Sequence, residues 1–568
     1  MATLPSFTAE EVARHRTATD CWCIIGGFVY DLTDWIDDHP GGGKIVLAQG
    51  GKDATELFTS FHSEDVLPDV AEAFKIGTLA AAEATAVAPK LPKAVGGGVY
   101  ANSEVNKAPQ TLQNAARTGA AAIGALQTGG AQLVSKEGGP HIDVTISADE
   151  LSLIKNTFEL EELAIERLPD PAAMFIEYGA EDETSKRANL AAWGRYALRP
   201  RVALDRNITR VDMSTTVMGR RVSLPVLMGA AGGHGIANHR AEIATARGAA
   251  ATGTVGGIAQ RAHFPLSEIY REAVAAQQES GQAEDPFLMW QLYVPKLKGA
   301  DEMDREYCEK AIKYASDCGF QALCVTVDTP VPGNREMTYN NPAWSKGMQE
   351  EVGGFPSIHS LDEVDVGENL PGGHCGALTW DDIAWMAALT PMKMIVKGIM
   401  TGEDAAIAAT TAGVDGIVVS NHGGRQIDGA LGSAEVLEEC VAAVGGRCEV
   451  FVDGGVRRGK DVLRALALGA TAVFVGRPVF WGLALGGQAG LERLVEMFRD
   501  ELTICMQLCG CPTIGDITRA HVHDRGEQSV VPVVAAMAAK DREIAGLRQA
   551  VAQLRQLNVQ ASLALAKL

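Results

Sequence analysis

Eight short apolar runs punctuate the middle of this 568-residue chain, and their spacing constrains the fold more than any other feature. They are PVLMGA (225–230), TVGGI (254–258), FLMWQLYV (287–294), ALCVTVD (322–328), MKMIVKG (392–398), GIVVSN (416–421), CEVFVDGG (448–455) and AVFVGR (472–477). Short apolar runs of this kind, bounded by glycine and polar residues, read as buried strands. Between them lie amphipathic, Ala/Leu-rich segments such as GEDAAIAATTAG and GKDVLRALALG, closed by glycine as helix C-caps often are. Eight strand–helix alternations over roughly 250 residues match the count and size of an α/β (β/α)8 TIM barrel. A doubly wound open sheet is the alternative, but no G-x-G-x-x-G turn follows a first strand.

The flanks divide the rest. Residues 1–82 form a compact acidic unit, with 13 acidic against 5 basic residues and a net charge of −8. Residues 83–140 are Ala, Gly, Val, Pro and Lys in mixed order, a flexible linker with one Ala-rich helical piece near 112–126. Residues 141–525 carry the barrel, and residues 526–568 a helical tail. At 46% hydrophobic the chain can bury one large core and a smaller one. No apolar run reaches the roughly 18–20 residues of a membrane span. A net charge of −21 argues against nucleic acid or an anionic membrane as partner. The N-terminus shows neither a secretory signal nor a mitochondrial presequence, and eleven scattered cysteines suit a reducing, intracellular compartment.

Barrel chemistry sits at the C-terminal ends of the strands. Here the third run holds Gln291 and Tyr293, and the fourth ends in Thr326 and Asp328. The fifth ends in Lys397, the sixth in Ser420 and His422, the seventh in Asp453, Gly454 and Gly455, the eighth in Gly476 and Arg477. One polar residue at a strand end is ordinary loop; titratable side chains at several ends that converge are a site. Loops after strands seven and eight commonly bind phosphate, with Arg457 and Arg477 supplying charge. His422 suits a general base, with Asp328 to orient it. Arg425 and Arg335 suit a bidentate clamp on a substrate carboxylate, and Lys397 suits stabilising negative charge on a reduced cofactor.

SNHGGRQID, TVDTPVPGNRE, IVKGI, FVDGGVRRG and VGRP, in this order, resemble the FMN-dependent (S)-2-hydroxy acid dehydrogenases and oxidases across about residues 141–525. The resemblance implies FMN as cofactor and His422 as base, paired with Asp328. It implies Arg425 and Arg335 on the substrate carboxylate and Tyr293 on the substrate side. FMN contacts are implied at Gln291, Thr326, Lys397, Ser420, Asp453, Gly454, Gly455, Arg457, Gly476 and Arg477. Three places depart from the family pattern: Phe175 stands where it usually has tyrosine, Gly229-Ala-Ala-Gly232 where it has APTA, and Ala259 where it has serine.

In the acidic N-terminal unit, His39 and His62 lie 23 residues apart with Trp22, Phe28, Tyr30, Phe58 and Phe61 nearby in sequence. Two axial imidazoles and apolar walls suit a haem, held non-covalently because no C-x-x-C-H is present. A structural zinc site is the weaker rival, since it wants four ligands. The segment from about Phe7 to Leu79, with its HPGG and later FHS, is similar to cytochrome b5, which makes His39 and His62 the implied ligands of haem b.

Together the two halves resemble the flavocytochrome b2-type L-lactate dehydrogenases. That resemblance implies oxidation of an (S)-2-hydroxy acid, L-lactate by default, with electrons passing from FMN to haem and on to a basic cytochrome c-like acceptor. Alternatives are an FMN-dependent oxidase using oxygen, and a non-catalytic haem electron carrier with a degenerate barrel. Heptad-spaced apolar residues in the tail, with Asn558 among them, suit helix packing in a homo-oligomer or against the chain's own barrel. The final AKL is close to the peroxisomal S-K-L signal, whereas the flavocytochrome family is otherwise mitochondrial.

Overall fold

The computed structural model describes residues 5–17, 19–36, 46–47, 49–55, 58, 74–80, 134–136, 139–202, 207–282, 284–352, 358–364, 373–526 and 537. His39, Phe61, His62, nearly all of the linker and the tail beyond 526 except Met537 lie outside these residues, as do the helical piece near 112–126 and the tail heptads. The chain divides into two compact units, Met1–Thr118 and Gly119–Leu568.

In the second unit all eight apolar runs are strands: β1 (Val226–Met228), β2 (Val255–Ala259), β3 (Phe287–Tyr293), β4 (Ala322–Thr326), β5 (Lys393–Ile399), β6 (Val414–Val419), β7 (Glu449–Val452) and β8 (Ala472–Val475). Each pairs in parallel with the next, and β8 returns to β1 through Val226↔Val473, Leu227↔Phe474 and Met228↔Val475, which closes the barrel. Strands buried on both faces lack polar alternation because the interior and the helix layer are both apolar. Leu227, Val255, Phe287, Met289, Phe451 and Phe474 fill the interior.

A hairpin ahead of β1, Thr215–Val217 with Arg220–Val222, adds Val217, Met218 and Val222 to that interior cluster. The Met218 N–H donates to the Glu449 carboxylate at the start of β7, 2.9 Å away. The hairpin therefore stoppers the end where the strands begin, leaving the chemistry to the other end.

The helices read from the Ala/Leu-rich segments run Gly402–Ala408 and Gly459–Ala467. Gly469 follows the second one residue later, after the cap Leu468, in a left-handed conformation, φ +103°. Gly413 does not close the first, which caps at Ala409; it lies in the turn before β6.

The N-terminal unit holds a five-stranded sheet in the order Ser6–Phe7, Lys75–Leu79, Phe28–Asp31, Asp20–Ile25, Arg16–Thr17. Along DCWCII the side chains alternate in burial partners. Cys21, Cys23 and Ile25 join Tyr30, Leu32 and Ile36 in one cluster, with half-buried Trp35, Phe58 and Phe74 against it. Trp22 and Ile24 join Val29 and Leu79 in another. The expectation that Trp22 and Phe28 wall a haem is thus corrected. Trp22 stacks on His15 at 3.6 Å, and Phe28 is exposed with the Lys75 ammonium 4.0 Å from its ring.

Candidate active site

The C-terminal strand ends surround a cavity of about 740 Å³. Its wall contains Gln291, Tyr293, Thr326, Arg335, Lys397, His422, Arg425, Asp453, Gly454, Gly455, Arg457, Gly476 and Arg477. Of the barrel residues given a role from sequence, Asp328 and Ser420 stand behind this wall and touch residues in it; Ala259, one of the three departures, is also outside the wall.

His422 leaves β6 with φ +59°, a conformation rare for a residue with a Cβ, and Gly423 and Gly424 continue the left-handed turn at +66° and +73°. The turn is held from outside: Asn421 and Asn189 exchange side-chain hydrogen bonds of 2.7 and 3.0 Å, and the Gly424 N–H donates to Asn421 Oδ1. His422 Nδ1 lies 2.9 Å from Asp328 Oδ1, which fixes the ring and leaves Nε2 3.5 Å from the Tyr293 hydroxyl. Burial is the main influence on His422 and pulls its pKa below the ordinary value; Asp328 opposes this and Lys397 adds to it. Burial would raise the Asp328 carboxyl, yet His422 and Lys397 together hold it below its usual range. The pair therefore rests as carboxylate and neutral imidazole.

Arg425 and Arg335 come from the loops after β6 and β4, and those loops interlock. Gln426 Nε2 donates to the carbonyls of Asp328 (2.8 Å) and Val331 (2.9 Å), and its Oε1 accepts from the Gly333 N–H (3.0 Å). Arg335 Nε donates to the Arg425 carbonyl at 3.1 Å. A Cβ on Gly333 would sit 2.3 Å from that same carbonyl oxygen, so the approach requires glycine. Arg425 donates through Nη1 to the carbonyls of Phe175 (2.9 Å), Ile176 (3.4 Å) and Tyr178 (2.8 Å), and lies 5.1 Å over the Phe175 ring. Burial, then the nearby Arg335 and Arg477, pull its pKa well below the usual guanidinium value. An arriving anion relieves that repulsion.

Lys397 Nζ donates to Ser420 Oγ at 2.9 Å and lies 3.4 Å from Asp453 Oδ2. Burial alone would lower its pKa; Asp453 and Asp328 outweigh burial and raise it, so it stays charged. Ser420 Oγ also accepts the His422 N–H at 3.1 Å, and Gln291 Nε2 donates to Thr326 Oγ1 at 2.9 Å.

The wall fits a phosphorylated cofactor. Arg477 Nη2, Arg457 Nε and Asp453 Oδ1 are buried without a hydrogen-bond partner among the described residues. Buried polar atoms left so are costly unless a ligand meets them. Gly454 and Gly455 present backbone at φ +92° and +73°, and a Cβ on Gly476 would meet nothing within 4 Å. Gly455 is also pinned from behind, since a Cβ there would lie 2.0 Å from the Asn189 carbonyl oxygen. Gly455→Ala is expected to cost at least about 1–2 kcal/mol of stability and to strip FMN, measured as melting temperature and flavin-to-protein ratio. In the N-terminal unit the half-buried Trp35, Phe58 and Phe74 suit a porphyrin wall.

Several supports escaped the sequence reading. Asn189 sits on the helix Thr184–Arg195, whose Trp193 Nε1 donates to the Gly454 carbonyl at 2.9 Å. The same helix starts on Asp428, whose carboxylate accepts the Thr184 and Ser185 N–H groups at 3.1 and 2.7 Å. Within SNHGGRQID, then, Asn421, Gln426 and Asp428 are fasteners around His422 and Arg425; an unusually polar strand exit was the available signal. His374, stacked on Tyr293 at 4.7 Å, gave none.

Comparison with known proteins agrees with this geometry. Residues 164–524 match the model of the FMN-dependent dehydrogenases, and residues 8–80 that of the cytochrome b5-like haem/steroid binding domain. A peroxisomal (S)-2-hydroxy-acid oxidase of Oryza sativa subsp. japonica is 40% identical over 385 residues, 67% of this chain and 98% of its own length. An L-lactate oxidase of Nostoc sp. is 39% identical over 374 residues, 65% of this chain and 98% of its own. Among solved structures, a lactate oxidase of Pediococcus acidilactici aligns with TM-score 0.59 at 32% identity, over 69% of this chain and 99% of that one. A flavocytochrome b2 variant with sulfite bound aligns with TM-score 0.55 at 31% identity, over 66% of this chain and 87% of that one. The chain belongs to the FMN-dependent dehydrogenase family, an oxidoreductase barrel that binds FMN, preceded in the same polypeptide by a haem-binding cytochrome b5-like domain.

Proposed function

We propose that this flavoprotein oxidises an (S)-2-hydroxy acid to the 2-oxo acid and delivers the electrons through its own haem domain to a cytochrome c-like protein. The observation that carries the reading is the His422–Asp328 pair, 2.9 Å apart, with Nε2 facing a cavity that also holds Arg425 and Arg335. Two electrons and two protons leave the substrate. Bound FMN supplies the two-electron acceptor and haem b, on His39 and His62, a one-electron relay.

The chain's own residues do the rest. Arg425 and Arg335 hold the carboxylate, which orients C2 and its hydroxyl toward His422 Nε2 and the Tyr293 hydroxyl. His422 accepts a proton at Nε2, and Asp328 stabilises the resulting imidazolium through Nδ1–H. Lys397, kept charged by Asp453 and Asp328, supplies positive charge beside the flavin site. Gln291, Thr326, Ser420, Asp453, Gly454, Gly455, Arg457, Gly476 and Arg477 position the cofactor.

Only neutral His422 accepts a proton, and its pKa is lowered from 6.5. The kcat/KM profile is expected to fall on the acid side with a midpoint below 6.5; a midpoint above that value contradicts the assignment.

The fused haem domain supports a cytochrome acceptor, and its −8 charge suits a basic partner. The oxidases among the relatives favour oxygen as a second reading, and the peroxisomal ones among them favour a peroxisomal address. His39→Ala separates the acceptors. Cytochrome c reduction is expected to fall to background while substrate still bleaches the flavin. Peroxide formed one-for-one with substrate, unchanged in the variant, would make the protein an oxidase.

A further inference from the structure

The cavity wall holds one more cation than the reaction uses. Arg425, Arg335, Arg477, Lys397 and Arg457 each donate to, or lie beside, a carbonyl, amide oxygen, hydroxyl or carboxylate. Arg261 is also in the wall, exposed, and has no hydrogen bond or ion pair among the described residues.

Its position is built. It follows Gln260, which is fully buried; the Gln260 N–H donates to the Gln291 carbonyl at 2.8 Å and its Oε1 accepts the Tyr293 N–H at 3.0 Å. On the other side the Ala262 carbonyl accepts the His359 N–H at 3.0 Å. The Arg261 stem lies across Gly232, where a Cβ would come 3.2 Å from Arg261 Cβ and 3.8 Å from Cδ. Glycine at the end of the Gly229–Gly232 stretch thus leaves room for this side chain. The Arg261 charge acts on Tyr293 and His374, the stacked pair beside His422 Nε2.

With the carboxylate on Arg425 and Arg335 and the hydroxyl at His422 and Tyr293, the lining left for the remaining substituent on C2 includes His374, Arg261, Ala231 and Gly232. We propose that Arg261 selects a 2-hydroxy acid whose side chain ends in a second anionic group, a carboxylate being the simplest. An anionic end gains a charge-assisted hydrogen bond from this guanidinium, whereas a methyl end only takes water away from it, so discrimination falls on charge. This inference rests on the hydroxy acid reading above. The chemistry at C2 is the same: two electrons and two protons leave, and the second carboxylate is untouched.

The test compares (S)-malate with (S)-2-hydroxybutanoate, and (S)-2-hydroxyglutarate with (S)-2-hydroxyvalerate, on the full-length holoenzyme with an artificial electron acceptor. Wild type is expected to favour the diacid of at least one pair. Arg261→Leu is expected to lower the diacid-to-monoacid ratio of kcat/KM by about 10- to 100-fold, mainly through the diacid KM. Arg261→Lys should recover part of that ratio, which a purely structural role would not produce. A wild-type preference for the monoacid of both pairs, or a ratio unmoved by Arg261→Leu, overturns the proposal. If no (S)-2-hydroxy acid bleaches the flavin of a fully loaded protein, the underlying reading fails and this one with it.

Discussion

His422→Gln is expected to slow substrate-driven flavin bleaching by about 10²–10⁴-fold, the range lost when a positioned base is removed. Glutamine fills similar space and can hydrogen-bond to the substrate hydroxyl, but it does not take up a proton near neutral pH. The flavin itself should remain bound, because the phosphate-side residues Arg457, Gly476 and Arg477 belong to other loops. Asp328→Asn is expected to produce a loss of the same kind through a different route. Asp328 raises the His422 pKa against the dominant effect of burial. Without its charge the imidazole is a weaker base, the acid limb of the pH profile moves further down, and the imidazolium formed during turnover is uncompensated. The double variant should be little slower than the slower single one, since the two residues act as a unit. Anaerobic rapid mixing reads all three. Bleaching within threefold of wild type in His422→Gln would remove His422 from the proton transfer.

Arg425→Lys carries the second large effect. The Arg425 guanidinium does two jobs at once. Its Nη1 edge ties down the carbonyls of Phe175, Ile176 and Tyr178, and among the described residues Nε and Nη2 have no partner. One ammonium cannot satisfy three carbonyls and also grip a carboxylate in a bidentate fork. The expected loss in kcat/KM is about 10²–10³-fold, from two charge-assisted hydrogen bonds removed or bent. Orphaned carbonyls should also cost about 1–3 kcal/mol of stability, visible as a lower melting temperature. A variant with wild-type KM and melting temperature would show that Arg425 neither binds substrate nor braces this segment. Phe175 sharpens the case, because the resemblance leads one to expect a tyrosine hydroxyl here. The ring instead packs under Arg425, 5.1 Å away, so the proposed carboxylate binding is expected to fall more heavily on the arginine.

All eight barrel strands were legible in the sequence because their residues are buried on both faces, and a run such as ALCVTVD has little else to become. The strand exits were legible for the converse reason. His422, Arg425 and Asp453 follow apolar runs where a polar group needs a use. What the runs did not disclose is everything that depends on two distant segments meeting. Gln426 reads as one more polar residue until the loop after β4 is laid against it. Asn189 lies 232 residues from Asn421 and shares no pattern with it. The hairpin that stoppers the barrel precedes β1, has its own short strands, and looks like a linker until Met218 meets Glu449. In the N-terminal unit the error was of another kind. The period-2 alternation of DCWCII already separates Trp22 from Cys21 and Cys23, so proximity in sequence is not proximity in space there. Arg261 gives no signal of its own, because a charged residue two places past a strand usually faces solvent, and only the closed barrel puts it in the same cavity wall as Tyr293.

The most direct test of the account is an anaerobic rapid-mixing absorbance record of the full-length protein with an (S)-2-hydroxy acid that it turns over. The account predicts two phases: loss of flavin absorbance, then growth of a sharp b-type haem band at the same or a slower rate, with every haem reduced at the end, three electrons held per chain, two on FMN and one on haem. Flavin bleaching with a haem spectrum that never changes would contradict it, and would leave a hydroxy acid oxidase carrying a haem domain for some other purpose.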